Sequence, residues 1–165
     1  MARPQRIVPA PGQESVWDYP RPPRVEKVHA RVTIEFGGRV IAETSRAVRV
    51  LETSHPPGFY LPEDDFDDGA LRPVEGATVC EFKGRAAYFD VVSGTSTASR
   101  AAWTYPEPSR GFAELAGMVS IYPGRMDRCI VDGEVVQAQE GDFYGGWITA
   151  AIVGPFKGAA GTWGW

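Results

Sequence analysis

A carboxylate and an imidazole stand three residues apart, at Glu52 and His55, on a segment that Pro56 and Pro57 stiffen. A carboxylate can orient an imidazole, and an oriented imidazole can act as a general base, so both side chains are candidates for acid–base chemistry. The alternative is a histidine at a surface turn, because His29, the only other histidine, stands in no matching motif. The sequence leaves both interpretations open.

A second pair of ionisable residues, Glu81 and Lys83, alternates with Phe82 in the segment CEFKG. In a strand, residues two apart leave the same face of the sheet, so the two charged side chains are expected to lie together. Such a pair is commonly a solvent-facing ion pair of little energetic value. If this face lines a cleft instead, Lys83 becomes a contact for an anion or a group that transfers a proton.

Several aromatic residues stand beside glycine or proline turns and not within clean alternating strands. Rings at such positions can line a pocket or stack on a flat ligand, because each combines a large apolar face with a polar edge. In the alternative interpretation they cap the open ends of a β-sheet core. The candidate ligand-binding residues are Tyr60, Trp103, Tyr105, Tyr144 and Trp147.

Composition and missing motifs exclude several classes of function. The net charge of −4 disfavours a nucleic-acid partner, because such a protein needs clustered Lys and Arg to displace counterions. The motifs GxxxxGK[ST], GxGxxG, GxSxG and HExxH are all missing from the sequence, so the common nucleotide, hydrolase and zinc-protease chemistries lack support.

The sequence also predicts no metal and no cofactor. Cys80 and Cys129 lie far apart and the chain has no CxxC pair, which leaves too few thiolates for a structural zinc site. The acidic run from Glu63 to Glu75 resembles a calcium loop only in part, because Phe66 stands where a ligand is required. We interpret this run as solvated acids.

Three turns must position these candidate residues. The turns Gly37-Gly38, Lys83-Gly84 and Asp132-Gly133 each lie between two runs of β-prone residues, as in antiparallel hairpins. From Val28 to Phe36 apolar and polar residues alternate, which is typical of a strand with one buried face. Short helical turns are expected only after Pro62 and within residues 109–118. The predicted fold is mainly β, with two antiparallel sheets and one or two short helices.

The two ends of the chain differ from this β body. Residues 1–25 form a proline-rich arm that Trp17 and Tyr19 could hold in place, and residues 26–165 form one domain. Its C-terminal segment, residues 141–165, is rich in aromatic residues and glycine and has only two charged side chains. We expect this segment to wrap onto the body and close its core.

Five segments of the chain resemble the bacterial family known as domain of unknown function 427. They are ETSHPPGFYLP at 52–62, CEFKGRAAYF at 80–89, AAWTYPEP at 101–108, VSIYP at 119–123 and GDFYGGW at 141–147. The resemblance extends from about Val28 to Lys157 and implies a compact domain of the β-tent kind, two antiparallel sheets meeting at an angle. It implies no reaction. A nucleotidyltransferase label sometimes accompanies the family, but the Gly-Ser and paired-Asp pattern of that chemistry is missing here.

The sequence therefore predicts a pocket between the sheets that binds a small molecule, with or without acid–base chemistry. The competing prediction is a non-catalytic interaction module, in which the aromatic tail and the arm form a homodimer or partner surface. We expect a cytoplasmic protein with no membrane partner, because no apolar run in the body approaches the roughly 20 residues of a spanning helix and the first residues lack the apolar core of a secretory signal.

Overall fold

The computed structural model describes residues 4–141 and 143–165. Residues 1–3 of the predicted arm and Asp142 of the predicted tail lie outside this part. The fold is mainly β, as predicted, and its helical elements are single 3₁₀ turns at Val16–Asp18, Glu63–Asp65, Ala113–Leu115 and Pro123–Arg125. The strands are β1 (Glu14–Ser15), β2 (Arg24–Lys27), β3 (Val32–Phe36), β4 (Arg39–Thr44), β5 (Val48–Leu51), β6 (Gly58–Pro62), β7 (Leu71–Cys80), β8 (Gly84–Ser93), β9 (Ser96–Thr104), β10 (Met118–Ile121), β11 (Arg128–Val131), β12 (Glu134–Val135), β13 (Gln137–Ala138), β14 (Trp147–Ile148) and β15 (Ile152–Val153).

Two larger antiparallel sheets form the body. The seven-stranded sheet has the order β2-β5-β6-β10-β9-β8-β7, and the four-stranded sheet has the order β12-β11-β3-β4. Two further sheets have two strands each: β13 pairs with β14, and β1 pairs in parallel with β15. Because β1 belongs to the arm and β15 to the tail, the two ends are hydrogen-bonded to each other.

The three predicted hairpins are present. Gly37 and Gly38 connect β3 and β4 with φ values of 63° and 78°, and Asp132 and Gly133 connect β11 and β12 with φ values of 49° and 83°. This left-handed backbone explains the glycines, because residues with a Cβ rarely adopt it. The predicted first strand is shorter than expected: it starts at Val32 and not at Val28.

The second hairpin corrects one detail of the prediction. Cys80 of β7 pairs with Gly84 of β8, so Glu81, Phe82 and Lys83 form the connecting turn and do not continue the strand. Their side chains therefore do not follow the alternation of the sheet, and Glu81 and Lys83 are presented from the tip of a hairpin.

The main core lies between the facing sides of the two larger sheets. Val32 and Ile34 of β3 pack in one buried cluster with Phe59 and Leu61 of β6 and Val91 of β8. Along β6 the neighbouring residue Tyr60 points to the other side, because successive side chains of a strand alternate between the faces. Tyr60 belongs to a second cluster, which covers the opposite face of the seven-stranded sheet: Val48, Val50, Tyr60, Ala86, Tyr105, Phe112, Leu115 and Met118.

The arm and the tail share a third buried cluster. Val16, Trp17 and Tyr19 of the arm pack with Leu51 and Ile152. The Trp17 indole N–H also donates to the Pro155 carbonyl oxygen, 2.9 Å away. No helix in residues 4–141 and 143–165 has the length and apolar character that crossing a membrane requires.

Candidate functional site

A cavity of about 470 Å³ opens on the face of the seven-stranded sheet that is turned away from the four-stranded sheet. It is therefore not the predicted pocket between the sheets: its floor is one sheet, and its cover comes from the turn between β7 and β8 and from residues 143–146. Of the predicted site residues, the cavity brings together Glu52, His55, Glu81, Lys83, Tyr60, Trp103, Tyr105 and Tyr144.

The rings of Trp103, Tyr60 and Tyr105 form the floor of the cavity. Trp103 and Tyr60 are nearly perpendicular, with an interplanar angle of 88°, and the Trp103 Nε1–H donates to the Tyr60 hydroxyl oxygen at 3.3 Å. The Tyr105 ring lies 6.3 Å from that of Tyr60. Burial raises the pKa of both tyrosines well above the usual value, so both hydroxyls stay protonated and act as hydrogen-bonding groups.

Tyr122 is an aromatic lining residue that the sequence analysis did not select. Its ring lies 4.6 Å from that of Trp103, and its hydroxyl donates to the Phe143 carbonyl oxygen at 3.5 Å. Tyr122 precedes Pro123 as Tyr105 precedes Pro106, so the same sequence signal marks both residues. Tyr88 also lines the cavity, but it lies within β8 and no turn marks it in the sequence.

The loop that carries His55 is held by backbone contacts from both ends of the chain. The Ser54 N–H donates to the Val16 carbonyl oxygen at 3.0 Å, and the Lys157 N–H donates to the Ser54 carbonyl oxygen at 2.9 Å. Ser54 is fully buried and has a φ of 72°, a conformation that is strained for a residue with a Cβ. The neighbouring His55 is thereby fixed at the wall of the cavity.

His55 is a neutral imidazole in this environment. Burial, followed by the charges of Lys157, Arg21 and Lys83, lowers its pKa to about 3. The Glu52 carboxylate lies 3.8 Å from Nε2, beyond hydrogen-bond length, and it also faces Arg21 at 3.7 Å. The carboxylate therefore interacts with the Arg21 guanidinium as well as with His55. Because the pKa of His55 is so low, its imidazole is almost entirely unprotonated at neutral pH.

Two lysines of the cavity lie near aromatic rings. Lys83 Nζ lies 6.0 Å from the centre of the Tyr105 ring, and Lys157 Nζ lies 5.6 Å from that of Tyr144. The Tyr144 ring in turn meets His55 edge to face at 4.9 Å. Lys157 was not selected from the sequence, where it is simply one of two charges in the tail. These contacts place two ammonium groups beside rings that attract cations.

Glycines in the tail allow its backbone to lie directly on the aromatic floor. A Cβ on Gly145 would come within 2.3 Å of the Trp103 ring, and a Cβ on Gly146 would come within 2.6 Å of Gln139 Oε1. Neither contact is possible for a larger residue without a shift of the backbone. Gln139 fixes the segment further, since its Oε1 accepts from the Gly146 N–H at 3.0 Å.

Trp147 lies outside the lining of the cavity. Its side chain is fully buried in the main core, where it stacks on Phe59 with the ring centres 4.9 Å apart. Its indole N–H donates to the Ile121 carbonyl oxygen at 3.1 Å. The tail thus contributes Trp147 to the main core, and Phe143 and Tyr144 to the lining of the cavity.

The described residues contain no group of three or more His, Cys, Asp or Glu side chains placed to hold a metal ion. Cys129 is buried in the main core, and burial raises the pKa of its thiol above the usual range. Cys80 is half-buried and lines the cavity. The two thiols therefore occupy different environments.

A family model described as domain of unknown function (DUF427) matches residues 24–132. This range includes the hairpin of β7 and β8 and the strands that carry Tyr60 and Trp103, and it ends before the tail that covers the cavity. No curated protein matches the chain.

Proposed function

This chain belongs to the domain of unknown function 427 family, and we propose that it binds a small planar molecule in the aromatic cavity. The observation that carries the proposal is the convergence of rings from three separate elements, β6, β9 and the tail, on one cavity of about 470 Å³. This volume lies within the range of roughly 300 to 1,000 Å³ that is typical of small-molecule sites.

The arrangement of the rings favours a flat ligand. The half-buried Trp103 ring lies beside the buried rings of Tyr60 and Tyr105, and the two lysines and the neutral His55 also line the cavity. A planar ring can stack on the aromatic walls, and its polar edge can meet Lys83 or the imidazole. In this proposal His55 serves as a hydrogen-bonding contact, because a base with a pKa of about 3 is poorly matched to proton transfer at neutral pH.

A ligand-observed NMR screen with planar aromatic and heteroaromatic fragments tests the proposal. We expect fragments of about two fused rings to bind the wild type, and Tyr144→Ala to abolish their binding by removing one wall. Lys83→Met should weaken only those fragments that carry a hydrogen-bond acceptor. The matched control is Trp163→Ala, since Trp163 is 75% exposed and does not line the cavity. A screen without binders, or binders that only Trp163→Ala removes, would refute the proposal.

A second candidate function is homodimerisation through the tail. Phe143 and Trp163 are 72% and 75% exposed, an unusual state for two large rings in one segment. We propose that a second copy covers them. Multi-angle light scattering should then show a dimer at micromolar concentration, and the double variant Phe143→Ser with Trp163→Ser should be monomeric. A wild-type monomer at these concentrations would eliminate this candidate.

A further inference from the structure

A second groove of about 580 Å³ adjoins the aromatic cavity. The two share the side chains of Tyr88, Tyr122, Gln139 and Tyr144, so they lie on either side of one aromatic wall. The second groove differs in character, because it is lined by two guanidinium groups, those of Arg100 and Arg125. Nothing in the proposed function uses it.

The backbone of β9 aims Arg100 into this groove. The pairing of β8 with β9 shifts between Phe89 and Val91, and Arg100 lies in the bulge that results, with a φ of 50°. This left-handed conformation is strained for arginine, and bulges commonly redirect a side chain near a functional site. The guanidinium lies 4.5 Å from the centre of the Tyr88 ring, and its Nη1 donates to the Glu75 carbonyl oxygen at 2.8 Å. Its position is therefore fixed before any ligand arrives.

Arg125 is anchored at the same bulge. Its Nη1 donates to the carbonyl oxygen of Ser99, the residue before Arg100, at 3.2 Å. Each guanidinium thus uses a backbone carbonyl as its anchor, and its other N–H groups are left to donate elsewhere. Two guanidinium groups anchored in this way are suited to donate hydrogen bonds to the oxygens of one anion.

Neither guanidinium forms a salt bridge to a described carboxylate, although Asp90 lies beside the bulge, where its Oδ1 accepts from the Arg100 backbone N–H at 2.8 Å. No described lining residue of the groove is an aspartate or glutamate. By contrast, the nearby Arg72 pairs with Asp90 at 3.1 Å, and Arg128 pairs with Glu35 at 2.8 Å. The groove consequently holds two positive charges with no described counter-charge in its lining, which favours an anion.

From these observations we infer that the groove is an oxyanion subsite, and that the ligand of the aromatic cavity is a planar ring compound bearing a phosphate or carboxylate group. The inference deepens the proposed function and, for the ring, rests on it. The ring stacks in the cavity of Trp103 and Tyr144, and the acidic group reaches past Tyr122 to Arg100 and Arg125. The anion site itself rests only on the groove.

Two titrations, followed by two-dimensional NMR, test the inference. The first uses inorganic phosphate and acetate alone, and we expect either anion to shift the backbone amide signals of residues 99–101, 124 and 125. The second compares 2-naphthol, 2-naphthoate and 2-naphthyl phosphate, which share one ring. We expect the acidic compounds to bind about tenfold more tightly than naphthol, since hydrogen bonds to charged groups are roughly twice as strong as neutral ones. Whichever of 2-naphthoate and 2-naphthyl phosphate binds more tightly shows whether the subsite prefers a carboxylate or a phosphate.

The variant Arg125→Gln should remove both the signal shifts caused by phosphate and the tighter binding of the acidic compounds relative to naphthol. Both arginines are exposed, and Arg125 is chosen because Arg100 also lies in the bulge and packs on Tyr88, so its replacement can disturb the fold. Arg110→Gln is the control of equal charge change: Arg110 is exposed and lines neither cavity. A folded Arg125→Gln protein with unchanged binding of both anion types would overturn the subsite.

The outcomes separate this inference from the proposed function. If naphthol binds and the acidic compounds bind no more tightly than naphthol, the oxyanion subsite is refuted and the aromatic binding site is supported. If phosphate binds through Arg125 but no naphthyl compound binds, the anion site stands and the planar ligand is wrong. If no probe binds, or if Arg110→Gln has the same effect as Arg125→Gln, the inference fails.

Discussion

The indole N–H of Trp103 donates to the hydroxyl oxygen of Tyr60, 3.3 Å away, and this bond joins two residues in the floor of the cavity. Tyr60 lies on β6 and Trp103 lies on β9. These strands are not neighbours, because β10 lies between them in the sheet. Their side chains reach each other across β10 because both leave the same face. The hydrogen bond therefore links the cavity to the register of three strands.

Replacing the acceptor should cost stability without changing the fold. Tyr60→Phe leaves the Trp103 N–H without its partner in a part-buried site, and we expect a loss of about 1 kcal/mol in the free energy of unfolding. Urea denaturation measures this loss. Tyr122→Phe is the control, because its hydroxyl makes only an exposed contact at 3.5 Å. Equal losses in both variants would contradict a specific role for the Trp103 bond.

Trp147 should be needed for folding and not for binding. Its ring is fully buried against Phe59, so Trp147→Ala should lower the free energy of unfolding by about 3 to 5 kcal/mol. Trp163→Ala, which removes a ring that is 75% exposed, should change it by less than about 0.5 kcal/mol. Thermal melting compares the two proteins. An unchanged melt for Trp147→Ala would show that this ring is not in the core.

The depressed pKa of His55 predicts a pH dependence of stability. The folded protein holds the imidazole neutral down to a pKa of about 3, whereas the unfolded chain binds a proton below about 6.5. The unfolded state therefore binds more protons between these values, and stability falls as the pH falls from about 6.5 towards 3. The slope from this one group is at most about 1.4 kcal/mol per pH unit.

Denaturation curves at pH 7, 6 and 5 isolate the contribution of His55, because most carboxylates titrate at lower pH. His55→Gln should flatten the dependence of the unfolding free energy on pH in this range. His29→Gln replaces an exposed histidine and serves as the matched control. The same steep dependence in His55→Gln as in the wild type would show that another group is responsible.

The two cysteines should differ in accessibility. Cys80 is half-buried at the cavity, whereas Cys129 is 1% exposed in the main core. A disulfide reagent such as DTNB should label one thiol in the native protein and two in denaturant, and Cys80→Ser should abolish the native labelling. Two thiols that react at equal rates in the native protein would contradict the burial of Cys129.

Local signals predicted the hairpins because a turn depends on a few neighbouring residues. Gly37-Gly38 and Asp132-Gly133 adopt the positive φ values that their residue types favour. The side of the sheet on which the cavity opens was not predictable in the same way. It depends on which face of β6 meets the four-stranded sheet, and that pairing is made between residues distant in sequence.

The distinction between Trp103 and Trp147 also escaped prediction. Both stand near turns and both carry a polar N–H, but Trp147 follows two glycines that lead its chain from the cover of the cavity into the core. The bulge at Arg100 left no sequence signal, because arginine has no preference for left-handed backbone. Such conformations are imposed by tertiary contacts, here the stacking on Tyr88 and the bond to Glu75.

The most direct test of the central claim is a crystal structure of the protein with the fragment that binds best in the screen. We expect a ring in van der Waals contact with Trp103 and Tyr105, covered by Tyr144, with its polar edge towards Lys83. A fragment found instead against the exposed Trp163, with the aromatic cavity empty, would contradict the claim that this cavity is the binding site.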